Sequence, residues 1–134
     1  MLEAAFTRLP ERPEVLLVNA TGRDHPRRFG LALHLGARLS LPTVGVTRNP
    51  LLAEGTWPED VRGASASLKI GEETVGCWLR TKHGSPPLAV HAAWRTSPET
   101  AVSVVMTVTG HYRTPEPLRQ ARQAARTARA SQAS

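Results

Sequence analysis

The sequence has too few cysteines for a disulfide-stabilised fold and no apolar run long enough to span a membrane. Its 134 residues include one cysteine, Cys77, which excludes an internal disulfide and a cysteine-based zinc site. Because Cys77 lies within an apolar run, we expect an inert thiol in the core. No apolar run approaches the roughly 20 residues that cross a bilayer. The first ten residues contain Glu3 and no apolar stretch typical of a signal peptide, so we expect a cytoplasmic protein without a membrane partner.

Lysine is nearly as scarce as cysteine, and the positive charge of the chain comes from arginine. Only Lys69 and Lys82 are lysines, yet 17 basic residues outnumber 11 acidic ones and give a net charge of +6. The planar guanidinium of arginine matches the geometry of phosphate, so the charge is compatible with a nucleic-acid partner. It is also compatible with a high-GC genome that encodes arginine in place of lysine. Composition leaves both interpretations open.

The length and composition predict one domain over residues 1–134, with 40% hydrophobic residues and a mean hydropathy of -0.27. Its last part, residues 118–134, is predicted to be a basic helix and tail. Arginines recur there at spacings of three and four, at Arg119, Arg122, Arg126 and Arg129. Such a stripe is typical of a solvated helix face, and it is also compatible with a surface that follows phosphates.

Residues 14–47 are predicted to form a strand, a helix and a second strand. Val15 to Val18 are aliphatic and lie between prolines and a glycine, which is typical of a buried parallel strand. The helix over residues 27–39 has few polar positions, and the second strand spans residues 43–47. A connection of this kind is right-handed and joins parallel strands. We therefore expect an α/β fold.

The carboxyl ends of these two strands are the expected location of the functional residues. Ligands of open α/β sheets bind beyond the carboxyl ends of the strands. In this chain those ends are followed by residues 19–25 and residues 47–49. Because the strands are parallel neighbours, we expect the two loops to lie side by side.

The remaining pattern predicts further strands and two more helices besides the C-terminal one. The strands are predicted at residues 65–70, 74–81 and 88–92, the first two forming a hairpin. A short helix is predicted at residues 1–9, from apolar residues on one side, and another at residues 98–109. The second of these begins with an N-cap hydroxyl at Ser97 and a proline at the first helical position.

Several short segments carry a resemblance to a known family. The sequence HPRRFGLA begins at His25 and is followed by HLG and then by LPTVGV. Further matching segments lie at residues 79–81, 97–101 and 112–117. They occur in the order and spacing of the endonuclease V family, and the chain resembles that family from about Pro13 to its C-terminus.

The resemblance implies an RNase H-like core and a nuclease of DNA repair. It implies cleavage of a phosphodiester near deoxyinosine in DNA, or inosine in RNA, with Mg²⁺ or Mn²⁺ as cofactor. In such a reaction carboxylates hold the metal, which activates water and stabilises the charge that develops on phosphorus. The modified base is read in a pocket built largely of backbone, close to the glycines of the strand-end loop.

The resemblance covers only the C-terminal half of the family pattern. The N-terminal region of the family supplies the first strands of the sheet, a metal-binding aspartate, a glutamate and the loop that separates DNA strands. We expect the core of this chain to lack those strands and to have an open sheet edge, which is a site for unwanted pairing. We predict that a second copy of the chain, or a separate N-terminal chain, covers this edge.

Four positions of the implied site differ from the family pattern. Asn19 takes the place of a metal-binding aspartate and loses the charge on which Mg²⁺ binding depends, so it is a weak metal position. Ala20 replaces a glycine and crowds the backbone that approaches the base. Arg48 matches a lysine and keeps its charge but not its proton chemistry. Trp94 matches a histidine, and tryptophan can neither bind metal nor transfer a proton.

Other positions that the resemblance implicates in nucleic-acid binding keep the family residues. These are Gly22, His25, Arg27, Arg28 and Gly45. Asp24 is a candidate replacement acid, or alternatively a loop or cap aspartate before the helix. His25 could contact the substrate or form a hydrogen bond at the helix entry. Trp94, with the neighbouring Arg95, could stack on a base or pack in the core.

Three functions therefore stay open at the level of sequence. The chain could be a metal-dependent nuclease of the endonuclease V type, active alone or with another chain. It could be a nucleic-acid-binding module that has lost its metal site, or a subunit that lends a sheet edge to a partner. A metal site needs about two or three acids, and Asp24 is the one candidate, so we expect little or no activity from this chain alone.

Overall fold

The computed structural model describes residues 4–8, 14–27 and 29–133, with the side chains of Arg8 and residues 125–133 excepted. The described residues contain six strands and three helices. The strands are β1 (Ala4–Arg8), β2 (Glu14–Val18), β3 (Thr43–Thr47), β4 (Ser65–Ile70), β5 (Glu73–Leu79) and β6 (Leu88–Ala92). The helices are α1 (Leu31–Leu39), α2 (Pro98–Thr107) and α3 (Glu116–Ala133). No described helix combines the length and the apolar character that a membrane span requires.

All six strands form one mixed sheet in the order β1-β2-β3-β6-β5-β4. The second and third strands of this order, β2 and β3, are parallel, and every other pair is antiparallel. This confirms the predicted parallel unit of strand, helix and strand, because α1 connects β2 to β3. The crossover connection of the sheet therefore joins β2 to β3, the two strands whose carboxyl ends were expected to be followed by functional residues.

Helix α1 begins four residues later than the sequence pattern predicts, at Leu31 instead of Arg27. Gly30 is the N-cap and is extended, with φ -70 and ψ 173, and its amide donates to the Gly22 carbonyl at 2.7 Å. The predicted boundary was wrong because this hydrogen bond turns the preceding residues back towards the end of β2.

The helix predicted for residues 1–9 was also wrong over its described part, Ala4–Arg8, which is strand β1. It pairs antiparallel with β2, from Ala4 opposite Val18 to Arg8 opposite Glu14. The unpaired amides and carbonyls along β2 explain the difference, since backbone pairing outweighs a weak local helix preference. The rest of that predicted helix lies outside the described residues. The chain itself therefore covers the edge of β2 that was expected to be open.

The core lies on both faces of the sheet, as the alternation of side chains along β2 requires. Leu17 and Val44 pack with Val90 on the face that α2 and α3 cover, whereas Leu16 and Val18 face α1. Leu17 and Val44 are fully buried, and each contributes about 2 kcal/mol of hydrophobic stabilisation. The two faces together hold the ends of β2 and β3 in place.

Cys77 on β5 is half-buried, so its predicted place in the core was wrong. Burial, and to a smaller extent the Glu99 carboxylate, raises the pKa of this thiol above its usual value. Because the thiolate is the reactive form of cysteine, a raised pKa makes Cys77 a poor nucleophile.

Helices α2 and α3 place the C-terminal part of the chain across one face of the sheet. The predicted start of α2 is confirmed, since the Ser97 side chain accepts a hydrogen bond from the Thr100 amide at 3.2 Å. Helix α3 packs on β1 and β2, and its buried Leu118 joins the main core. Arginines of α3 therefore lie close to the carboxyl end of β2.

Candidate nucleic-acid interface

The carboxyl ends of β2 and β3 meet at one edge of the sheet, as the sequence predicts. Val18 is opposite Gly45 in the parallel register, so Asn19 and Arg48 follow neighbouring strand ends. Both residues line a small pocket, which we call the Asn19 pocket. Its lining residues are Asn19, Val46, Thr47, Arg48, Leu88, Thr114, Leu118 and Arg122. The structure thus brings together two of the four family positions that differ from the pattern.

A larger cleft of about 370 Å³ adjoins the Asn19 pocket and shares Arg48, Thr114 and Arg122 with it. We call it the basic cleft. Its lining residues are Arg48, Lys82, Ser85, Tyr112, Arg113, Thr114, Arg119, Arg122 and Gln123. Five of these are cationic and none is acidic. A cleft of this charge and size fits phosphate groups of a nucleic acid.

Hydrogen bonds fix the wall of the basic cleft that residues 112–114 form. Arg113 donates through Nε to the Pro86 carbonyl at 2.8 Å and through a terminal nitrogen to the Pro87 carbonyl at 3.0 Å. The Thr81 hydroxyl donates in turn to the Arg113 carbonyl. Burial lowers the pKa of Arg113, and the nearby Arg48 charge lowers it further. The cations of the cleft therefore lie close enough to repel one another.

Arg119 on α3 is held in the cleft by two neighbours. It forms an ion pair with Glu116, at 2.6 and 2.8 Å to the two carboxylate oxygens. Its guanidinium also lies 3.6 Å from the centre of the Tyr112 ring, a cation–π contact. Glu116 therefore partly neutralises this arginine.

Asp24 is anchored in the fold and is poorly placed to bind metal. It is fully buried, and its carboxylate accepts hydrogen bonds from the amides of Leu51, Leu52 and Ala53 at 2.6, 2.5 and 2.8 Å. Both oxygens are thus used to hold the loop after β3 against the loop after β2. A bound metal would require at least some of these hydrogen bonds to break. The geometry favours the loop aspartate over the replacement acid.

Gly22 in the loop after β2 and Gly45 within β3 allow backbone segments to pack closely. A Cβ at Gly22 would lie 2.1 Å from the Ala92 carbonyl oxygen, and one at Gly45 would lie 2.2 Å from the Ala20 carbonyl oxygen. Real Cβ atoms do not approach an oxygen so closely. Gly22, Gly45 and Ala20 therefore serve the packing of this fold, and their predicted contact with a base stays a prediction.

The loop between β2 and α1 carries the remaining predicted contacts. The Nδ1 atom of His25 accepts a hydrogen bond from the Arg27 amide at 3.1 Å, which lies within the loop and before the N-cap of α1, so neither predicted role of His25 is confirmed. The Arg27 side chain is exposed, and neither residue lines the basic cleft. Arg28 lies outside the described residues.

Trp94 and Arg95 lie at the opposite end of β3 from Arg48. The Thr43 amide donates to the Trp94 carbonyl and the Trp94 amide donates to the Thr43 hydroxyl, both at 2.9 Å. Thr43 is the first residue of β3, whereas Arg48 follows its last residue. Trp94 packs against Gly36 of α1, which agrees with a packing role, and the Arg95 guanidinium lies 5.6 Å from its ring. The structure does not place Trp94 with Asn19.

The donor set of the strand ends does not fit the divalent metal that the resemblance implies. Among the described residues no group of three or more His, Cys, Asp and Glu side chains could hold an ion. Mg²⁺ and Mn²⁺ require charged oxygen ligands, whereas the Asn19 pocket is lined by the neutral Asn19 and the cationic residues Arg48 and Arg122.

His91 is a buried residue that the sequence did not single out. It is the fourth of the five residues of β6, and its Nε2 is 2.7 Å from the Thr47 hydroxyl oxygen. That hydroxyl donates its one proton to the Asn49 carbonyl at 2.9 Å, so His91 must donate through Nε2. Nδ1 then carries a lone pair that has no hydrogen-bond partner in the described part of the chain. Burial lowers the pKa of His91 to about 4, although Asp24 opposes the shift.

Most of the cleft-lining residues also escaped the sequence reasoning. Lys82, Tyr112 and Arg113 come from loops that gave no local signal of a shared site. Residues 112–117 match a segment of the endonuclease V family. That match was the one signal that could have indicated Tyr112 and Arg113.

Comparison with known proteins supports the resemblance. The sequence profile of the family described as Endonuclease V matches residues 1–123. Endonuclease V of Nocardia farcinica is 42% identical over 120 residues, which are 88% of this chain and 52% of that relative. Endonuclease V of Streptomyces coelicolor is 39% identical over 118 residues, which are 88% of this chain and 51% of the relative. The chain spans about half the length of the curated relatives it matches.

Solved structures show the same architecture. The crystal structure of endonuclease V from Streptomyces avermitilis matches with a TM-score of 0.83 and 37% identity, over 93% of this chain and 55% of that one. Endonuclease V of Ciona intestinalis, in complex with a 24mer DNA containing an inosine followed by a ribo-adenosine, matches with a TM-score of 0.73 and 26% identity, over 87% of this chain and 54% of that one. The chain has the RNase H-like α/β fold of these proteins and belongs to the endonuclease V family.

Proposed function

We propose that this chain binds inosine-containing nucleic acid at the basic cleft and does not hydrolyse it without another chain. The observation that carries the proposal is the charge of the cleft, which has five cationic and no acidic lining residues. Phosphate contacts supply most of the affinity of proteins for nucleic acids, and arginine is well suited to make them. The cleft also opens at the strand ends, where ligands of α/β sheets bind.

The lack of hydrolysis follows from the chemistry of the strand ends. Endonuclease V proteins are metal-dependent, and in metal-assisted hydrolysis a cation activates water and stabilises the developing charge. A divalent cation beside Arg48 and Arg122 would be repelled, and Asn19 offers it only a neutral oxygen. We therefore expect no binding of Mg²⁺ or Mn²⁺ by this chain alone. We expect specificity for inosine because the chain belongs to the endonuclease V family.

A second candidate function is that of a subunit in an active assembly. The outer edge of β1 has no strand partner among the described residues, and the Phe6 side chain is 60% exposed there. A second copy of the chain, or a separate chain that carries the acids, could pair along this edge. This assembly would hydrolyse the strand, whereas the chain alone would only bind it.

The test uses an end-labelled single strand of DNA with one deoxyinosine and a matched strand with deoxyguanosine. We expect binding in fluorescence anisotropy that weakens steeply with salt. Five phosphate contacts correspond to a slope of log K against log salt of about -3 to -4 for a single strand. On a denaturing gel we expect no product in Mg²⁺ or Mn²⁺, at excess protein.

Two outcomes would contradict the proposal. A nick beside the inosine that EDTA abolishes would show a working metal site in this chain. Absence of salt-dependent binding would show that the basic cleft does not hold nucleic acid. A nick whose rate rises with the square of the protein concentration would favour the assembly over the binding module. An RNA strand with one inosine, run in parallel, determines which nucleic acid is preferred.

A further inference from the structure

Tyr112 presents an exposed aromatic ring to the basic cleft. It lines the cleft, and 54% of the residue is exposed. The Arg119 guanidinium lies 3.6 Å from the centre of the ring and therefore covers one of its two faces. The ring makes no further aromatic or cationic contact among the described residues. Its opposite face is thus the surface that Tyr112 offers to a ligand in the cleft.

The packing around Tyr112 holds the ring in place but does not bury it. Tyr112 belongs to none of the hydrophobic clusters formed by the described residues, so it contributes little to the core. Arg119 is itself fixed by both carboxylate oxygens of Glu116. The next residue, Arg113, donates to the carbonyls of Pro86 and Pro87. A ring that is already held loses little conformational freedom when a ligand stacks on it.

The same cleft provides positive charge and sufficient space for a nucleotide. Arg48 and Lys82 are exposed and line the cleft together with Tyr112. Its volume of about 370 Å³ lies within the range of roughly 300 to 1,000 Å³ that is typical of ligand sites. Cations that follow the phosphates and aromatic rings that stack on the bases are the two elements of single-strand binding. In a duplex each base is already stacked on its neighbours, so a side chain reaches its face only after unstacking.

We propose that Tyr112 stacks on an unpaired base of the bound strand and that Arg48 and Lys82 bind the adjacent phosphates. Gly22 and Gly45, which the family resemblance implicates in contact with the modified base, do not line the cleft. The stacked base is therefore a neighbour of the inosine, and stacking does not depend on its identity, since every base has an aromatic face. This inference rests on the proposed function and specifies its ligand as a single-stranded segment.

The test is fluorescence anisotropy of the end-labelled inosine strand with three variants of the full chain. Tyr112→Ala should weaken binding roughly tenfold through the loss of one stacked base. The slope of log K against log salt should not change, because no charge is removed. Tyr112→Phe keeps the ring and should bind within about threefold of the unmodified chain. Phe6→Ala removes an exposed ring outside the cleft, so it is the matched control and should leave the affinity unchanged.

Strands with one abasic position distinguish stacking from a structural role of Tyr112. When the abasic position is moved along the strand, the unmodified chain should bind roughly tenfold more weakly at the position that faces Tyr112. On that strand Tyr112→Ala should cause little further loss, because the two partners of one contact are not additive. A fully paired duplex should likewise lose little affinity with Tyr112→Ala. Thermal unfolding checks each variant, and Tyr112→Leu replaces Tyr112→Ala if the latter does not fold.

The outcomes separate this inference from the proposed function. Equal affinities of Tyr112→Ala and Tyr112→Phe for the inosine strand would overturn the stacking. An equal loss with Tyr112→Ala on every abasic strand would overturn it as well. In either case steep salt dependence of binding would leave the proposed function in place. No salt-dependent binding of any strand by the unmodified chain would overturn both.

Discussion

Acidification should destabilise the fold through His91, which is buried and neutral in the centre of the sheet. Its pKa is about 4 in the folded chain and about 6.5 in an unfolded one. Between these values the unfolded chain binds a proton at His91 that the folded chain does not bind. The contribution to stability is therefore complete above about pH 6.5 and is lost as the pH falls towards 4. The free energy of unfolding should fall by about 2 kcal/mol between pH 8 and pH 5.

The assay is urea unfolding followed by tryptophan fluorescence at several pH values. His91→Gln keeps an N–H donor for the Thr47 hydroxyl and removes the titrating group, so its stability should lack this pH-dependent loss. His111→Gln changes an exposed histidine and should retain the loss, which makes it the matched control. If His91→Gln lost as much stability between pH 8 and pH 5 as His111→Gln, the reasoning from burial would be refuted.

The remaining predictions concern the packing of the strand ends and the charge of the cleft. Asp24→Asn should destabilise the chain by about 2 to 4 kcal/mol in urea unfolding, because three backbone amides lose a charged acceptor that is itself fully buried. Gly45→Ala should destabilise it by about 3 kcal/mol or more, since its methyl group would overlap the Ala20 carbonyl oxygen. Arg48→Gln should reduce the slope of log K against log salt by about 0.7 in titrations of the inosine strand, because one phosphate contact is lost.

Each of these predictions has a control within the chain. Asp60→Asn removes a carboxylate that is half-exposed, and it should cost less than Asp24→Asn. Gly110→Ala places a methyl group where no atom lies within 4 Å, and it should leave stability nearly unchanged. Arg38→Gln on α1 removes an equal charge away from the cleft, and its salt slope should equal that of the unmodified chain. If a variant and its control had equal effects, the prediction for that variant would be contradicted.

The sequence predicted the parts of the fold whose pattern is local. The β2–α1–β3 unit could be predicted from the aliphatic residues of β2 and from the glycine and prolines on either side of it. The parallel register of β2 and β3 then placed Asn19 beside Arg48. For β1 the same reasoning was wrong, because the apolar spacing fits a helix. Its pairing with β2 is a tertiary interaction that the local pattern does not encode.

The candidate site was harder to predict because it depends on strand order and on distant segments. Trp94 follows β6, and the antiparallel pairing of β6 with β3 carries it away from Arg48. The role of Asp24 depends on three amides at least 27 residues away in the chain. The basic cleft gathers residues from the end of β3, two loops and α3, so a net charge of +6 could not indicate where the cations converge.

Strand β1 has a consequence for any chain that adds to this sheet. A partner strand that pairs directly with β2 must first displace β1, which residues 9–13 tether to the same strand. A short tether gives the attached strand an effective concentration on the order of millimolar. A free partner at micromolar concentration would therefore compete poorly for β2, and β1 acts as a built-in competitor. Assembly at the outer edge of β1 carries no such penalty, which makes that edge the more accessible place for a second chain.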